Sequence, residues 1–316
     1  MLTAALVYSG TPTDSLEDQD TLLQRDQIEQ ALNALGHDVV IFQVSESLDE
    51  LERWLRASNC DFVFNLVETF KGSDRFSYLV PALCEALNKP YTGCSALSLA
   101  LAASKTMQKK LLTGRGLPTA DYFLAKAPVA RSTNDQWIVK SDSEHASVGI
   151  DASSVVMGTD QALAKIEAMR ADLGGVWFAE KYIEGREFNV GLIPCPQGDC
   201  QVLPIAEMTF VDFPDHQPKI IDFAAKWQET STQYHTTVRR FDLAEEDQEL
   251  LEHLASIATQ CWELFSLCGP ARVDFRVDDQ GQPYVLEVNV NPCLSDDAGY
   301  MVAAQRAGLS NINVIE

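Results

Sequence analysis

Residues 271–291 carry the most constraining pattern in the chain, Ala-Arg-Val-Asp-Phe-Arg-Val-Asp-Asp-Gln-Gly-Gln-Pro-Tyr-Val-Leu-Glu-Val-Asn-Val-Asn. Apolar and polar residues alternate on both sides of the turn sequence at 278–281, which is the period of two that half-buried strands show. We therefore predict a β-hairpin whose core side carries Val273, Phe275, Val277, Leu286, Val288 and Val290.

The opposite face of this hairpin would collect Arg272, Asp274, Glu287 and Asn289. A turn centred between positions 280 and 281 sets Asp274 opposite Glu287. Two opposed carboxylates repel each other unless a cation lies between them, and carboxylate and amide oxygens suit Mg²⁺. The hairpin predicts either a metal site or a solvated polar face, and the pattern alone leaves both open.

Composition limits the class of protein. The chain has 316 residues with 46% hydrophobic content, enough for two or three domains with a substantial core. A net charge of -22 disfavours nucleic acid and anionic membranes as partners, and an anionic ligand would need its own cluster of lysine and arginine. No apolar run of membrane-spanning length and no basic leader is evident, so we expect a cytoplasmic protein with reduced cysteines.

Three short apolar strands alternate with helical patterns at the start of the chain. The strands are expected at 2–7, 39–44 and 62–67, and the helices near 22–35 and 48–56. Alternation of this kind predicts a parallel sheet covered by helices.

The rest of the chain contains segments suited to a phosphorylated ligand. A helix at 98–114 carries Lys105, and a strand at 137–140 ends in Lys140 before a small polar segment at 141–149. That segment either places backbone N–H groups over phosphate oxygens or forms an ordinary turn. We further predict strands at 177–180 and 201–210, a polar lid at 220–237 that contains Lys226, and a helix at 244–267.

Several short segments, taken in order, carry a family resemblance. They are Asn-Lys-Pro-Tyr-Thr-Gly-Cys at 88–94, the helix through Lys105, the strand and loop at 140–149, Glu-Lys-Tyr-Ile at 180–183 followed by Glu187, the lid lysine and the hairpin. Together they resemble the ATP-grasp carboxylate-amine ligases, and within these the D-alanine:D-alanine ligases. The resemblance implies an α/β (α+β) ATP-grasp fold with an N-terminal Rossmann-like domain at 1–96, a central subdomain at 97–180 and a C-terminal domain at 181–316.

The resemblance also implies roles for individual residues. ATP would be held by Lys105, Lys140 and Ser147 at the phosphates, by Glu180, Lys181 and Ile183 at the adenine, and by Glu187 at the ribose. Lys226 would contact the γ-phosphate from the lid, and Arg272 would stabilise the oxyanion of the reaction. Mg²⁺, or Mn²⁺ in its place, would be bound by Asp274, Glu287 and Asn289.

The substrate pocket departs from the pattern of these ligases. Their glutamate, serine and tyrosine for the first D-alanine correspond to a turn reading Ser-Gly-Thr-Pro-Thr-Asp at 9–14, to Ala146 and to Phe223. The usual His-Gly-x-x-Gly-Glu segment reads Val-Glu-Thr-Phe-Lys-Gly at 67–72, the usual Ser-Pro-Gly reads Asn-Pro-Cys at 291–293, and a serine that binds the second substrate's carboxylate is Ala298. The ATP and metal machinery therefore looks complete while the substrate pocket is altered.

These features predict an ATP-dependent ligase that joins a small-molecule carboxylate to an amine through an acyl phosphate, on substrates other than two D-alanines. A D-alanine:D-alanine ligase with an altered pocket, an ATP-grasp small-molecule kinase and a non-catalytic ATP-binding module are the alternatives. The resemblance further suggests a homodimer. Asp296 and Asp297 would either cap a helix starting near 297 or select a cationic acceptor.

Overall fold

The structure is a computed structural model that describes residues 1–10, 16–44, 47–126, 129–144, 147, 149–214, 217–228 and 230–316. Part of the turn at 9–14 and Ala146, two of the altered substrate positions, lie outside these described residues. Within the described part, no helix is both long enough and apolar enough to cross a membrane.

The N-terminal part is a three-stranded parallel sheet with helices on both faces, as the sequence predicts. Its elements are β1 Thr3–Tyr8, α1 Leu16–Ala34, β2 Asp38–Gln43, α2 Leu48–Ala57, β3 Phe62–Leu66, a 3-10 helix at Asp74–Phe76 and α3 Leu79–Ala86. The strand order is β2-β1-β3. Alternate strand residues face opposite sides, so Ile28 of α1 packs on one face and Leu51 of α2 on the other.

A small antiparallel sheet follows. The chain forms α4 Ala96–Ala102, α5 Lys105–Arg115, β4 Tyr122–Leu124, β5 Gln136–Ser141, a 3-10 helix at Ala152–Ser154, β6 Val155–Met157, α6 Thr159–Leu173 and β7 Trp177–Lys181. The strand order is β4-β7-β5-β6. Ala162 and Ile166 of α6 pack against Trp137 and Ala179, so one face of this sheet is covered by the helix.

A larger antiparallel sheet forms the C-terminal part. Its strands are β8 Arg186–Pro194, β9 Cys200–Val202, β10 Ala206–Phe210, β11 Thr237–Arg240, β12 Ala271–Val277 and β13 Pro283–Asn289. The order is β11-β10-β8-β12-β13, with β9 paired to β8. The helical elements are α7 Phe223–Trp227, α8 Thr232–Thr236, a 3-10 helix at Glu245–Asp247, α9 Gln248–Leu264, α10 Gly299–Arg306 and α11 Asn311–Ile315.

Helices α4, α5 and α9 pack on this larger sheet. Leu99 of α4, Leu112 of α5 and Ile257 of α9 share one core with Phe188 and Val273 of the strands. The predicted boundaries at 96 and 180 group α4 and α5 with the small sheet, whereas their buried side chains belong to the large one. The boundaries themselves stay a prediction.

Three predicted elements are wrong in their extent. The helix at 98–114 is two helices, because Ser104 starts a new one by accepting a hydrogen bond from the Met107 amide. The strand at 201–210 is interrupted at Pro204, which has no N–H for a ladder. The helix at 244–267 begins with a 3-10 turn and ends at 264, shortly before Ser266 takes a left-handed backbone conformation.

The hairpin forms with the predicted pairing of Asp274 with Glu287, but one side of it differs. The register shifts after Asp274, where Phe275 pairs with Val285, so Leu286 is an extra residue on its strand. Such a β-bulge turns the side chains beyond it to the other face. Val285 is therefore the buried core residue, and Leu286, predicted to face the core, lies in the cavity described below.

Candidate active site

A cavity of about 870 Å³ lies between the two antiparallel sheets and reaches the N-terminal part. The predicted site residues all line this cavity: Lys105, Lys140, Ser147, Glu180, Lys181, Ile183, Glu187, Lys226, Arg272, Asp274, Glu287 and Asn289. They come from α5, β5, β7, β8, α7 and the β12–β13 hairpin, and from the loops beside these elements. The fold thus brings together residues that are up to 184 positions apart in the sequence, from 105 to 289.

Glu180 is held by two lysines at the edge of the cavity. Its side chain is 1% exposed; Oε2 lies 2.7 Å from Lys140 Nζ, and Oε1 accepts from Lys109 Nζ. Lys109 also donates to Thr119 Oγ1 at 2.9 Å. Burial acts to raise the pKa of Glu180, but Lys109 and Lys140 outweigh it and hold that pKa below its ordinary value. Glu180 is therefore a buried carboxylate that stays ionised.

Ser147 and Lys105 connect the segment after β5 to its surroundings. Ser147 takes a left-handed backbone conformation, and its hydroxyl donates to the Ile221 carbonyl of the lid at 2.9 Å. Lys105 Nζ donates to the Glu144 carbonyl at 2.8 Å and lies 3.6 Å from Glu287 Oε1. The lid is thus held over the cavity, and the Lys105 ammonium lies between the polar segment and the hairpin.

Asp274 is bound on two sides. Arg272 donates to it through Nε at 2.7 Å and Nη2 at 3.0 Å, and the Asn189 side chain donates at 2.8 Å. Burial acts to lower the pKa of Arg272, yet Asp274 and then Glu287 raise it above its ordinary value. Arg272 therefore stays charged, and it already compensates one of the two opposed carboxylates.

The hairpin offers a donor set of two carboxylates and one amide. Asp274 and Glu287 face each other, and Asn289, opposite Arg272, accepts from the Asn291 amide through Oδ1 at 3.0 Å. Among the described residues, no group of three or more His, Cys, Asp or Glu side chains is arranged as a metal site. Oxygen donors of this kind fit Mg²⁺ because it takes few protein ligands and keeps water or phosphate oxygens for the rest.

Lys226 and Glu187 face the same region from opposite elements. Enclosure in the cleft lowers the pKa of Lys226, with Arg272 adding to the effect, although its side chain stays accessible from the cavity. Burial raises the pKa of Glu187 despite Arg276, whose Nε lies 3.2 Å from Oε2. Ionisable groups of both signs are thus packed at the centre of the cavity, where their enclosure shifts both pKa values toward the neutral forms.

The predicted helix cap near 297 is wrong. Helix α10 begins at Gly299, and its N-cap Ala298 has no side-chain hydrogen bond to the helix. Asp296 is exposed, and its carboxylate accepts from the Asn311 side chain. Asp297 does line the cavity, beside Arg239, which donates to the Asp297 carbonyl at 3.3 Å.

Some residues in the cavity wall or packed beside it carry roles that the sequence did not assign. Lys109 follows Lys105 by one helical turn, a spacing that signals a shared face. Arg276 belongs to the same alternation as Arg272, which was a second available signal. Arg239 carries no motif and is revealed only by the pairing of β11 with β10.

Comparison with known proteins agrees with this geometry. The family described as D-ala D-ala ligase C-terminus matches residues 110–316. A D-alanine–D-alanine ligase of Pseudoalteromonas translucida is 33% identical over 73% of this chain and 71% of its own length. An uncharacterised protein of Sinorhizobium fredii is 30% identical over 92% of this chain and 84% of its own.

Solved structures share the fold. The D-alanine–D-alanine ligase from Bacillus anthracis complexed with ATP has a TM-score of 0.75 at 21% identity, covering 100% of this chain and 95% of that one. The predicted ATP-grasp fold and family are confirmed. The chain therefore belongs to the D-alanine–D-alanine ligase family, whose members are ATP-dependent ligases that form C–N bonds.

Proposed function

We propose that this protein uses ATP to join a small-molecule carboxylate to an amine through an acyl phosphate. The observation that carries this proposal is that one cavity collects four lysines, three arginines and the carboxylate–amide set of the hairpin. In a chain with a net charge of -22, this is the local cationic cluster that binding of a polyphosphate needs.

The proposed nucleotide contacts follow the walls of the cavity. Lys181 and Ile183, after the buried Glu180, would contact the adenine, and Glu187 the ribose. Lys105 and Lys140 would hold the phosphates together with the segment of Ser147. Lys140 is already oriented by Glu180 at 2.7 Å, so its ammonium is fixed before the nucleotide arrives.

Metal binding is proposed at the hairpin. Asp274, Glu287 and Asn289 would hold Mg²⁺, which when bound neutralises charge on the transferring phosphoryl group. Mn²⁺ accepts similar ligands. Lys105 at 3.6 Å from Glu287 limits repulsion between the two carboxylates before metal and nucleotide bind.

The remaining residues would serve the chemical step. Lys226 on the lid would contact the γ-phosphate, and Arg272, already fixed by Asp274, would stabilise the developing oxyanion. The lid contact between Ser147 and Ile221 would keep water from the acyl phosphate. Each of these groups acts by charge and exclusion of water, which is what phosphoryl and acyl transfer need.

The substrate pair is proposed to differ from two D-alanines. Ala298 lacks the hydroxyl of the family's serine, and Phe223, in place of the tyrosine, is absent from the described lining of the cavity. Asp20, Glu68 and Asp74 line the cavity on its N-terminal side and would attract an ammonium group. A ligase specific for D-alanine remains the alternative, because relatives over most of the chain carry that name.

A panel of amino acids, tested alone and in pairs with Mg²⁺-ATP, tests the proposal. We expect ADP and phosphate release with an amide product only when a carboxylate and an amine are both present. Phosphorylated product from a single substrate would identify a kinase, and ATP binding without ADP release would identify a binding module. D-alanyl-D-alanine as the preferred product would reject the altered specificity and leave the ligase function in place.

A further inference from the structure

Two arginine side chains lie in the wall of the cavity near α10. Arg272 comes from β12 and Arg239 from β11, and both line the cavity. Arg272 is paired with Asp274, whereas no ion pair with a carboxylate is found for Arg239 among the described residues. Their positive charges act on each other, since Arg272, after burial, lowers the pKa of Arg239, with Asp297 opposing.

The guanidinium of Arg239 is incompletely satisfied. Nη1 donates to the Asp297 carbonyl at 3.3 Å, while the buried Nε has no hydrogen-bond partner among the described residues. A buried donor without a partner is costly, so a bound molecule or water is expected to accept from it. The unsatisfied charge and donor call for an anion.

The start of α10 is shaped to admit this side chain. A Cβ atom at Gly299 would lie 3.3 Å from Arg239 Nη2, closer than most real Cβ contacts. Gly299 does not have a left-handed backbone, so the missing side chain provides room rather than conformational freedom. Ala298, beside it, is equally small and carries no hydroxyl. The small residues 298 and 299 therefore leave room for the Arg239 guanidinium beside the start of α10.

We propose that Arg239 binds the carboxylate of the amine substrate, which makes an amino acid, rather than a diamine, the acceptor. This inference rests on the proposed ligase function and names the acceptor class. The acceptor's amino nitrogen forms a bond to the activated acyl carbon, the bond from that carbon to the phosphate oxygen breaks, and phosphate and a proton leave. Arg239 would position the acceptor for this attack without taking part in it.

The sequence alone favoured the opposite charge, because two adjacent aspartates precede α10. In the structure Asp296 interacts with Asn311 instead of the cavity. Asp297 does line the cavity, but its carbonyl accepts from Arg239. Arg272 is already paired with Asp274, whereas Arg239 keeps an Nε donor that has no hydrogen-bond partner among the described residues and that a carboxylate can accept from.

Acceptor selectivity tests the inference. Glycine, L-alanine and D-alanine are each compared with their own amides as acceptors, with product formation followed by mass spectrometry. The wild-type protein should prefer the free acid in kcat/KM, and Arg239→Gln should reduce that preference by about 10- to 100-fold, as expected for losing a charged hydrogen bond. Arg239→Lys should retain part of it. A diamine or amide preferred by the wild type, or an unchanged preference in Arg239→Gln, would overturn the inference.

Arg240→Gln is the matched control, because Arg240 is the next residue on β11, is exposed and is absent from the described lining of the cavity. It should leave the preference unchanged. Ligand-observed NMR with Mg²⁺-ADP provides a readout besides turnover. If no pair of substrates releases ADP, the proposed ligase function is wrong. The NMR measurement of D-alanine binding then still tests Arg239: weaker binding to Arg239→Gln than to the wild type supports its role, and equal binding refutes it.

Discussion

Asp274 and Glu287 face each other across the hairpin but have different partners. Asp274 accepts two hydrogen bonds from Arg272, whereas Glu287 lies 3.6 Å from Lys105. The sequence suggested that removing either charge relieves repulsion. In the structure, Asp274→Asn leaves the largely buried Arg272 without its carboxylate, so we expect a loss of about 2 kcal/mol in the metal-free protein.

Glu287→Gln should lower the free energy of unfolding by less than Asp274→Asn does. The Glu287 side chain is 22% exposed to solvent, and Lys105 keeps its hydrogen bond to the Glu144 carbonyl when the Glu287 charge is removed. Urea unfolding without metal compares the two variants, and Asn291→Asp serves as a control that adds rather than removes charge. Both Asp274→Asn and Glu287→Gln should need more Mg²⁺ for half-maximal ADP release. Turnover of either variant near the wild-type level at limiting Mg²⁺ would rule out the metal site.

The periodicities of the sequence were enough to predict the parallel sheet, the hairpin and the pairing of Asp274 with Glu287. The position of Leu286 could not be predicted, because a β-bulge depends on how the hairpin packs against β8 and α5. A single break in the alternation of apolar and polar residues cannot be located from the sequence when the two residues beside it are both apolar, as Val285 and Leu286 are.

Site residues could be predicted where they belong to a recognisable sequence segment. Contacts between distant segments could not be predicted. Lys140 and Glu180 were recognised as parts of separate segments, but their ion pair depends on the antiparallel register of β5 with β7. Arg239 reaches the cavity because β11 forms the edge of the large sheet and Gly299 leaves space beside it. Neither relation is local in sequence.

Lys140 and Lys226 contact the proposed phosphate region from β5 and from the lid. Removing a side chain that donates to developing negative charge in an enclosed site should raise the activation free energy by about 3 kcal/mol. This corresponds to a roughly 100-fold lower kcat/KM. We expect this for Lys140→Ala and Lys226→Ala in ADP-release assays. Lys110→Ala is the control, because Lys110 is exposed on α5 and should change kcat/KM by less than about 1 kcal/mol. Equal activity of all three variants would remove both lysines from the active site.

Lys109 should be a stability residue as well as a neighbour of the site. It is 1% exposed and is paired with Glu180, which is equally buried. Lys109→Met leaves Glu180 with Lys140 alone, and breaking a buried pair on one side costs about 3 kcal/mol. Lys109→Met combined with Glu180→Gln should be less stable still in urea unfolding, because Lys140, 2.7 Å from Glu180 in the wild type, then loses its carboxylate as well. A double variant more stable than the single one would contradict this account.

Cys268 should be the most reactive thiol among the described cysteines. The neighbouring Cys94 side chain lowers the pKa of Cys268 to about 6, and the Cys268 side chain is exposed, whereas burial raises the pKa values of Cys84 and Cys261 to about 12. Since the thiolate is the nucleophile, its reaction with iodoacetamide should rise as pH increases through about 6 and then level off. Peptide mass spectrometry at different pH values measures this.

Cys94→Ala removes the thiol that lowers the pKa of Cys268, so the midpoint of the Cys268 reaction should move upward toward the ordinary cysteine value of about 8.5. The buried Cys84 and Cys261 should stay unlabelled while the protein is folded. A Cys268 rate that rises only above about pH 8 in the wild-type protein would show that Cys94 does not stabilise the thiolate, because the reaction then follows an unperturbed thiol.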